Sequence, residues 1–158
     1  MISWQARIAH SLIGIVNLKK QTTKTVLNPP KRKHDSAILP KSLQKKYDVE
    51  LIEVRNRKIG LYKPKNTFFK RTLIYFHGGH YVNEAHPLMH KFIVKLAKKS
   101  NCNLCLMDYP LAPENTYLEN HKWCLDAYSV LIGKVEGELI LSGDSAGGGL
   151  ALALAQNM

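Results

Sequence analysis

The stretch Leu141–Gly149, LSGDSAGGG, decides how the rest of the chain is read. Its centre, Gly143-Asp144-Ser145-Ala146-Gly147, has the form G-x-S-x-G. The short apolar run ELILS (138–142) precedes it, and AGGGLALALAQNM, with the composition of a small-residue helix, follows. A serine between a strand and a helix of this kind sits on a sharp, strained turn. Small residues two places before and two places after it let the backbone bend that tightly. The turn lifts the Ser145 hydroxyl beyond the carboxyl end of a sheet and aims a helix N-terminus at a reacting carbonyl, with the Ala146 N–H ready to donate to a developing oxyanion. A tight glycine turn with an idle serine carries the same five letters, so the flanking strand and helix matter to the reading.

Working outward, His77-Gly78-Gly79-His80 directly follows the continuous apolar run TLIYF (72–76), as expected of a strand buried on both faces. Glycines after such a strand leave backbone N–H groups free to point at a substrate oxygen, which makes Gly78 and Gly79 oxyanion donors alongside Ala146. The spacing of 66 residues from Gly79 to Ser145 holds one helix–strand–helix–strand passage: MHKFIVKLAKKS (89–100), CNLCLMDY, residues 119–133 and ELILS. That alternation predicts a mostly parallel sheet with helices on both faces. Before it, YDVELIEV and KIGLYKP, joined by RNR, predict an antiparallel pair. Trp4, Ile8, Leu12, Ile15 and Leu18 form one apolar helical stripe over residues 1–20, and 21–44 reads as a loop or short broken helix interrupted by NPPKRK. The expected organisation is an N-terminal helix and basic linker over 1–44, followed by an α/β domain over 45–158.

Three motifs in order, HGGHYV, DYPLAPENTY and GDSAGGGLA, resemble the hormone-sensitive-lipase-like esterases of the α/β-hydrolase fold, from about Thr72 onward. The resemblance implies a serine carboxylic-ester hydrolase acting on a small-molecule ester. Ser145 would be the nucleophile, and Gly78, Gly79 and Ala146 the oxyanion hole. His77 and Asp144 would support the site; Tyr109, Ala112, Pro113 and Glu114 would form a structural turn; residues 1–44 would be a cap-like segment. No cofactor and no metal is implied. Two departures concern the motifs. The fourth residue of the glycine loop is His80, whose side chain is expected either to crowd the acyl pocket or to face solvent, and Leu118 stands where the family usually has proline. A third concerns the triad. The family places its acid and then its histidine after the serine, and residues 146–158 contain neither an acid nor a histidine. The chain therefore reads as the N-terminal portion of an enzyme of roughly twice its length, an incomplete α/β-hydrolase fold with at most traces of activity by itself. The second reading is a non-catalytic small-ligand binding module, as in the plant gibberellin receptors of the same resemblance class.

Composition bounds the rest. The 158 residues, 45% apolar and 22% charged, are ordinary globular material. No run of 18 apolar residues predicts a membrane span, and the first residues lack the basic leader of a secretory signal, so the expected location is the cytoplasm. Cys102 and Cys105 read as small hydrophobes of a buried strand rather than as a redox or zinc pair. The net charge of +11 is uneven: residues 1–71 carry 17 Lys and Arg against 4 Asp and Glu, residues 72–158 carry 6 against 8. The basic stretches match no nucleic-acid module, so solvated surface is the expected reading and no nucleic-acid partner is assigned. The sequence carries no signal of oligomeric state.

Overall fold

The computed structural model describes residues 3, 4, 18–33 and 35–158. The chain divides into two compact units, Met1–Lys31 and Arg32–Met158. In the first, a helix α1 covers Leu18–Leu27. Of the stripe expected over 1–20, Ile8, Leu12 and Ile15 lie outside the described residues. Residues 21–27 are helical, the second of the two alternatives expected for 21–44: Lys, Gln and Leu favour helix, and the first proline comes at 29, just after the helix ends.

In the second unit the elements are α2 (Lys41–Gln44), β1 (Tyr47–Val54), β2 (Arg57–Pro64), β3 (Arg71–Phe76), α3 (Pro87–Lys99), β4 (Asn103–Met107), α4 (Tyr117–Ile132), β5 (Glu138–Gly143) and α5 (Ala146–Ala155). The five strands form one sheet in the order β1-β2-β4-β3-β5. β4, β3 and β5 run parallel, whereas β1, β2 and β4 are linked antiparallel. The sheet is therefore mixed. Its parallel half is the part whose strands alternate with helices, and its antiparallel half holds the predicted β1–β2 pair.

Side-chain alternation along the strands builds the core on both faces. Ile74 and Phe76 of β3 and Cys105 and Met107 of β4 pack with Trp123, Ala127 and Leu131 of α4 and with Leu150 and Leu154 of α5. Leu73, Tyr75, Leu104 and Leu106 point the other way, onto Ile93 and Ala97 of α3. Each of the five residues of β4 is buried, because helices cover both sides of it. Cys102 and Cys105 belong to opposite faces of the sheet, and all three cysteines are buried free thiols. Burial pushes the Cys124 thiol up to about 12.

Residues 35–40 are pinned against β2. The Tyr62 hydroxyl donates to the Ala37 carbonyl at 2.7 Å and accepts from the Leu39 N–H at 2.9 Å. Trp123, 1% exposed, donates its indole N–H to the Val54 carbonyl at 2.9 Å, tying α4 to the antiparallel half. α4 starts on a reciprocal cap, in which Thr116 accepts from the Glu119 N–H and Glu119 accepts from the Thr116 N–H. No helix among the described residues is long and apolar enough to cross a membrane.

Candidate active site

β3 and β5 are parallel neighbours, so the loops that follow them emerge together at the carboxyl edge of the sheet. β5 passes straight into α5 through Ser145, which adopts φ 49° and ψ −119° and is exposed. An L-residue pays for a positive φ with steric strain, and such strain clusters at functional sites. The two flanking glycines make the turn possible. A Cβ on Gly143 would lie 2.3 Å from the Gly147 carbonyl carbon, and one on Gly147 would lie 2.0 Å from the Phe76 carbonyl oxygen. The predicted elbow is present, with both small positions required by backbone contact.

The loop after β3 is stapled to this turn by Asp144. Its Oδ1 accepts from the Gly78 N–H at 2.8 Å and from the Tyr75 hydroxyl. A Cβ on Gly78 would meet Asp144 Oδ2 at 2.2 Å, so the staple itself demands glycine there. The Gly78 N–H, expected to face a substrate oxygen, is thus engaged by the carboxylate. Among the described residues the N–H groups of Gly79 and Ala146 have no backbone or side-chain acceptor.

His77 lies inside the loop, 2% exposed. Its Nδ1 is 2.8 Å from the Gly78 carbonyl, which makes Nδ1 the protonated nitrogen. The ring stacks on Tyr109 with centroids 4.4 Å apart, and the Tyr109 hydroxyl donates to the His77 carbonyl at 2.6 Å. Burial pulls the imidazole down from 6.5 to about 4, against smaller upward pulls from the Gly78 carbonyl and Asp144. A neutral, enclosed ring of this kind braces the loop.

From Gly79 onward, three successive residues have positive φ: Gly79 at 133°, His80 at 58° and Tyr81 at 61°. The turn closes where the Val82 and Asn83 N–H groups donate to the Gly79 carbonyl at 3.0 and 2.9 Å. The His80 side chain faces solvent, the second of the two placements expected. Its left-handed backbone accounts for the glycine the family pattern has there. His80→Gly relieves about 1–2 kcal/mol of strain and loosens the unfolded chain by about 0.4–1 kcal/mol. Urea unfolding should therefore show a net gain of about 0.5–1 kcal/mol; a destabilised variant would contradict this reading of the loop.

One site residue was invisible in the sequence. Arg32, in the stretch read as basic linker, donates to the carbonyls of Val82 and Ala112 (the latter at 2.6 Å) and pairs with Glu114. The Ala112 N–H donates to the Tyr81 carbonyl at 2.8 Å. Arg32 therefore ties the glycine loop to the turn after β4. That turn and α5 border a largely apolar cavity of about 510 Å³, whose walls include Tyr81, Tyr117, His121, Gly149 and Leu150. Gly149 stands four residues along α5 from Ser145, about 6 Å by helical rise.

The sequence profile of the α/β hydrolase fold matches residues 73–158, from β3 through α5, which contain the elbow and the glycine loop. The chain belongs to the α/β-hydrolase fold family, in its hormone-sensitive-lipase-like branch. The esterase LipU of Mycobacterium tuberculosis is 33% identical over 91 residues, 56% of this chain and 31% of its own. The carboxylesterase/phospholipase LipF of the same organism is 38% identical over 91 residues, 56% of this chain and 24% of its own. Among solved structures, an esterase/lipase from an uncultured bacterium is 27% identical with a TM-score of 0.60, over 89% of this chain and 50% of that one. An esterase of Pyrobaculum calidifontis shares the fold at 24% identity and a TM-score of 0.62, over 89% and 46%. The chain thus spans about a third or less of these curated relatives and about half of these solved hydrolases.

Proposed function

We propose that this α/β-hydrolase chain carries the nucleophile and the oxyanion hole of a serine carboxylic-ester hydrolase. The observation that carries the reading is the positive-φ Ser145 at the head of α5, beside a glycine loop held in place by Asp144. The Ser145 hydroxyl gives its proton to solvent water as its oxygen adds to an ester carbonyl, and the departing alkoxide takes a proton back from water. The oxygen that becomes negative is received by the N–H groups of Gly79 and Ala146, while Gly78 anchors the loop through Asp144. The alcohol leaves as the acyl-enzyme forms, and water releases the acid. His77 and Asp144 position these groups and touch no substrate. The apolar cavity one helical turn from Ser145 suits a small ester with an apolar side.

The acid and the base that complete a triad follow the serine in this fold, and residues 146–158 supply neither. The expected rate for this chain alone is therefore the residue left by oxyanion hole and binding, about 10³–10⁴-fold over water in triads stripped of a member. A short activated p-nitrophenyl ester reads it. Ser145→Ala should abolish the covalent acyl-enzyme, read as loss of the acyl adduct on the Ser145 peptide by mass spectrometry, while the part of the rate owed to the oxyanion hole and binding remains; an acyl adduct that persists in the variant would refute the assignment. The second reading is a non-catalytic binding module, for which the apolar cavity beside α5 would be the ligand site; it predicts saturable ester binding with no Ser145-dependent release of nitrophenol. Three buried free thiols suit a reducing compartment, and we place the protein in the cytoplasm.

A further inference from the structure

Residues 72–158 hold six lysines and no arginine, and four of the six lie on α3: Lys91, Lys95, Lys98 and Lys99. The helix contains no acid. All four lysines are exposed, and among the described residues none is within salt-bridge distance of a carboxylate. Ion pairs among the described residues engage cations on other surfaces, among them Arg32, Arg55, Arg57, Lys58, Arg71 and Lys134. The inner face of α3, with His90, Ile93 and Ala97, is buried on the sheet. On the outer face, Leu88, Phe92, Lys95 and Lys99 recur at three- and four-residue steps and form one stripe, with Lys91 and Lys98 beside it. Leu88 is 64% exposed and Phe92 54%. A lone exposed leucine is ordinary. A Leu–Phe pair one turn apart at the head of an unpaired lysine stripe has the composition of a helix that lies on a bilayer.

The surroundings extend the patch. A groove of about 430 Å³ opens next to Pro87, the residue before Leu88, and is walled by Ile38, Pro40, Lys41 and Pro87. Ile38 is partly exposed. The Asp35 carboxylate at this groove is offset by Lys58 at 3.5 Å. Because α3 follows β3, its N-terminal end, with Leu88, lies at the carboxyl edge of the sheet where Ser145 emerges, and the lysines run away from that edge.

We propose that the outer face of α3 docks on a membrane surface containing anionic lipid, with Leu88 and Phe92 entering the headgroup–acyl boundary and the four lysines meeting the lipid charge. Lysine supplies point charges suited to a diffuse anionic surface, where bidentate phosphate recognition would favour arginine. Leu88 and Phe92 gain little from a duplex and a great deal from acyl chains. The docking does not depend on turnover at Ser145.

The test is co-sedimentation of the whole chain with vesicles of phosphatidylcholine alone and of phosphatidylcholine mixed with phosphatidylglycerol. Binding is expected to the mixed vesicles only, and to weaken with added salt. Each α3 lysine changed to glutamine should lower binding about fivefold, the usual worth of a basic residue near an anionic leaflet. L88S/F92S should lower it about tenfold or more. The control K63Q/K65Q/K70Q/K122Q removes the same net charge as the α3 set K91Q/K95Q/K98Q/K99Q, from other exposed positions, and should leave most of the binding. S145A should bind as the parent does, so that a failed esterase assignment and a failed docking proposal are told apart. Circular dichroism and melting check that each variant is folded. No binding to mixed vesicles, equal losses in the control and the α3 set, or undiminished binding by L88S/F92S would each overturn the proposal. So would α3-dependent retention on DNA without vesicle binding, which would make this a nucleic-acid face.

Discussion

Gly147→Ala should cost at least about 3 kcal/mol, the upper end of what overpacking does in a close-packed protein. The added Cβ would sit 2.0 Å from the Phe76 carbonyl oxygen, 2.5 Å from its carbon and 2.6 Å from the His77 carbonyl oxygen. All three are backbone atoms where β3 leaves the sheet, so no side chain can swing aside. Either α5 lifts, pulling Leu150, Ala151 and Leu154 out of the core they share with Ile74 and Phe76, or the end of β3 bends and carries the glycine loop with it. In either case the elbow and the loop separate. The melting midpoint should fall by about 6–12 °C, at about 2–4 °C per kcal/mol for a chain of this size. Gly148→Ala is the contrast. Its Cβ would meet only the Gly143 carbonyl oxygen at 3.4 Å, an ordinary contact. Alanine in place of a helical glycine should instead add about 0.5–1 kcal/mol. Equal responses from these neighbouring glycines would mean that α5 does not cross β3 at backbone contact.

The second large effect is a pH dependence set by His77. The ring is neutral in the folded protein down to about 4 because burial penalises its cation, while in the unfolded chain it takes a proton near 6.5. Above 6.5 both states hold it neutral, and the stability it allows is fully present. Between 6.5 and about 4 the unfolded state binds the extra proton, so stability falls as the pH falls through that window. The gap is worth about 3 kcal/mol. Glu114 is held below the usual carboxylate range by Arg32, and Glu119 by its hydrogen bonds with Thr116. Both therefore release their stability at lower pH than most of the His77 window. Unfolding free energies measured at stepped pH should show the fall in the parent and a flattened profile in His77→Gln, whatever that variant's absolute stability. A parent profile flat between pH 6.5 and 4.5 would contradict a buried neutral His77.

The elbow was legible because its demands are local. Gly143 and Gly147 bracket Ser145 within five letters, and the period of the flanking residues changes from strand to helix across them. β4 was legible for a similar reason, since CNLCLMDY reads as a short apolar strand buried on both faces. Arg32 was not, because its partners Val82, Ala112 and Glu114 lie 50 to 82 residues away and nothing in KRK announces them. Asp144 was singled out as a supporting residue, but its grip on the Gly78 N–H depends on how closely β3 and β5 lie side by side, which no spacing encodes. The same contact engages the Gly78 N–H and explains why glycine is needed there. For His80, the sequence left two placements open, and the positive φ of its backbone accompanies the solvent-facing one.

We propose Ser145 as the nucleophile served by the Gly79 and Ala146 N–H groups. Prolonged exposure of the folded chain to a small alkyl fluorophosphonate, followed by peptide mapping by mass spectrometry, tests it most directly. The expected result is one adduct, on Ser145, that forms faster in the folded chain than in urea and is missing from Ser145→Ala. Adducts spread over exposed residues such as Tyr81 and Tyr117, with Ser145 unmodified, would contradict it.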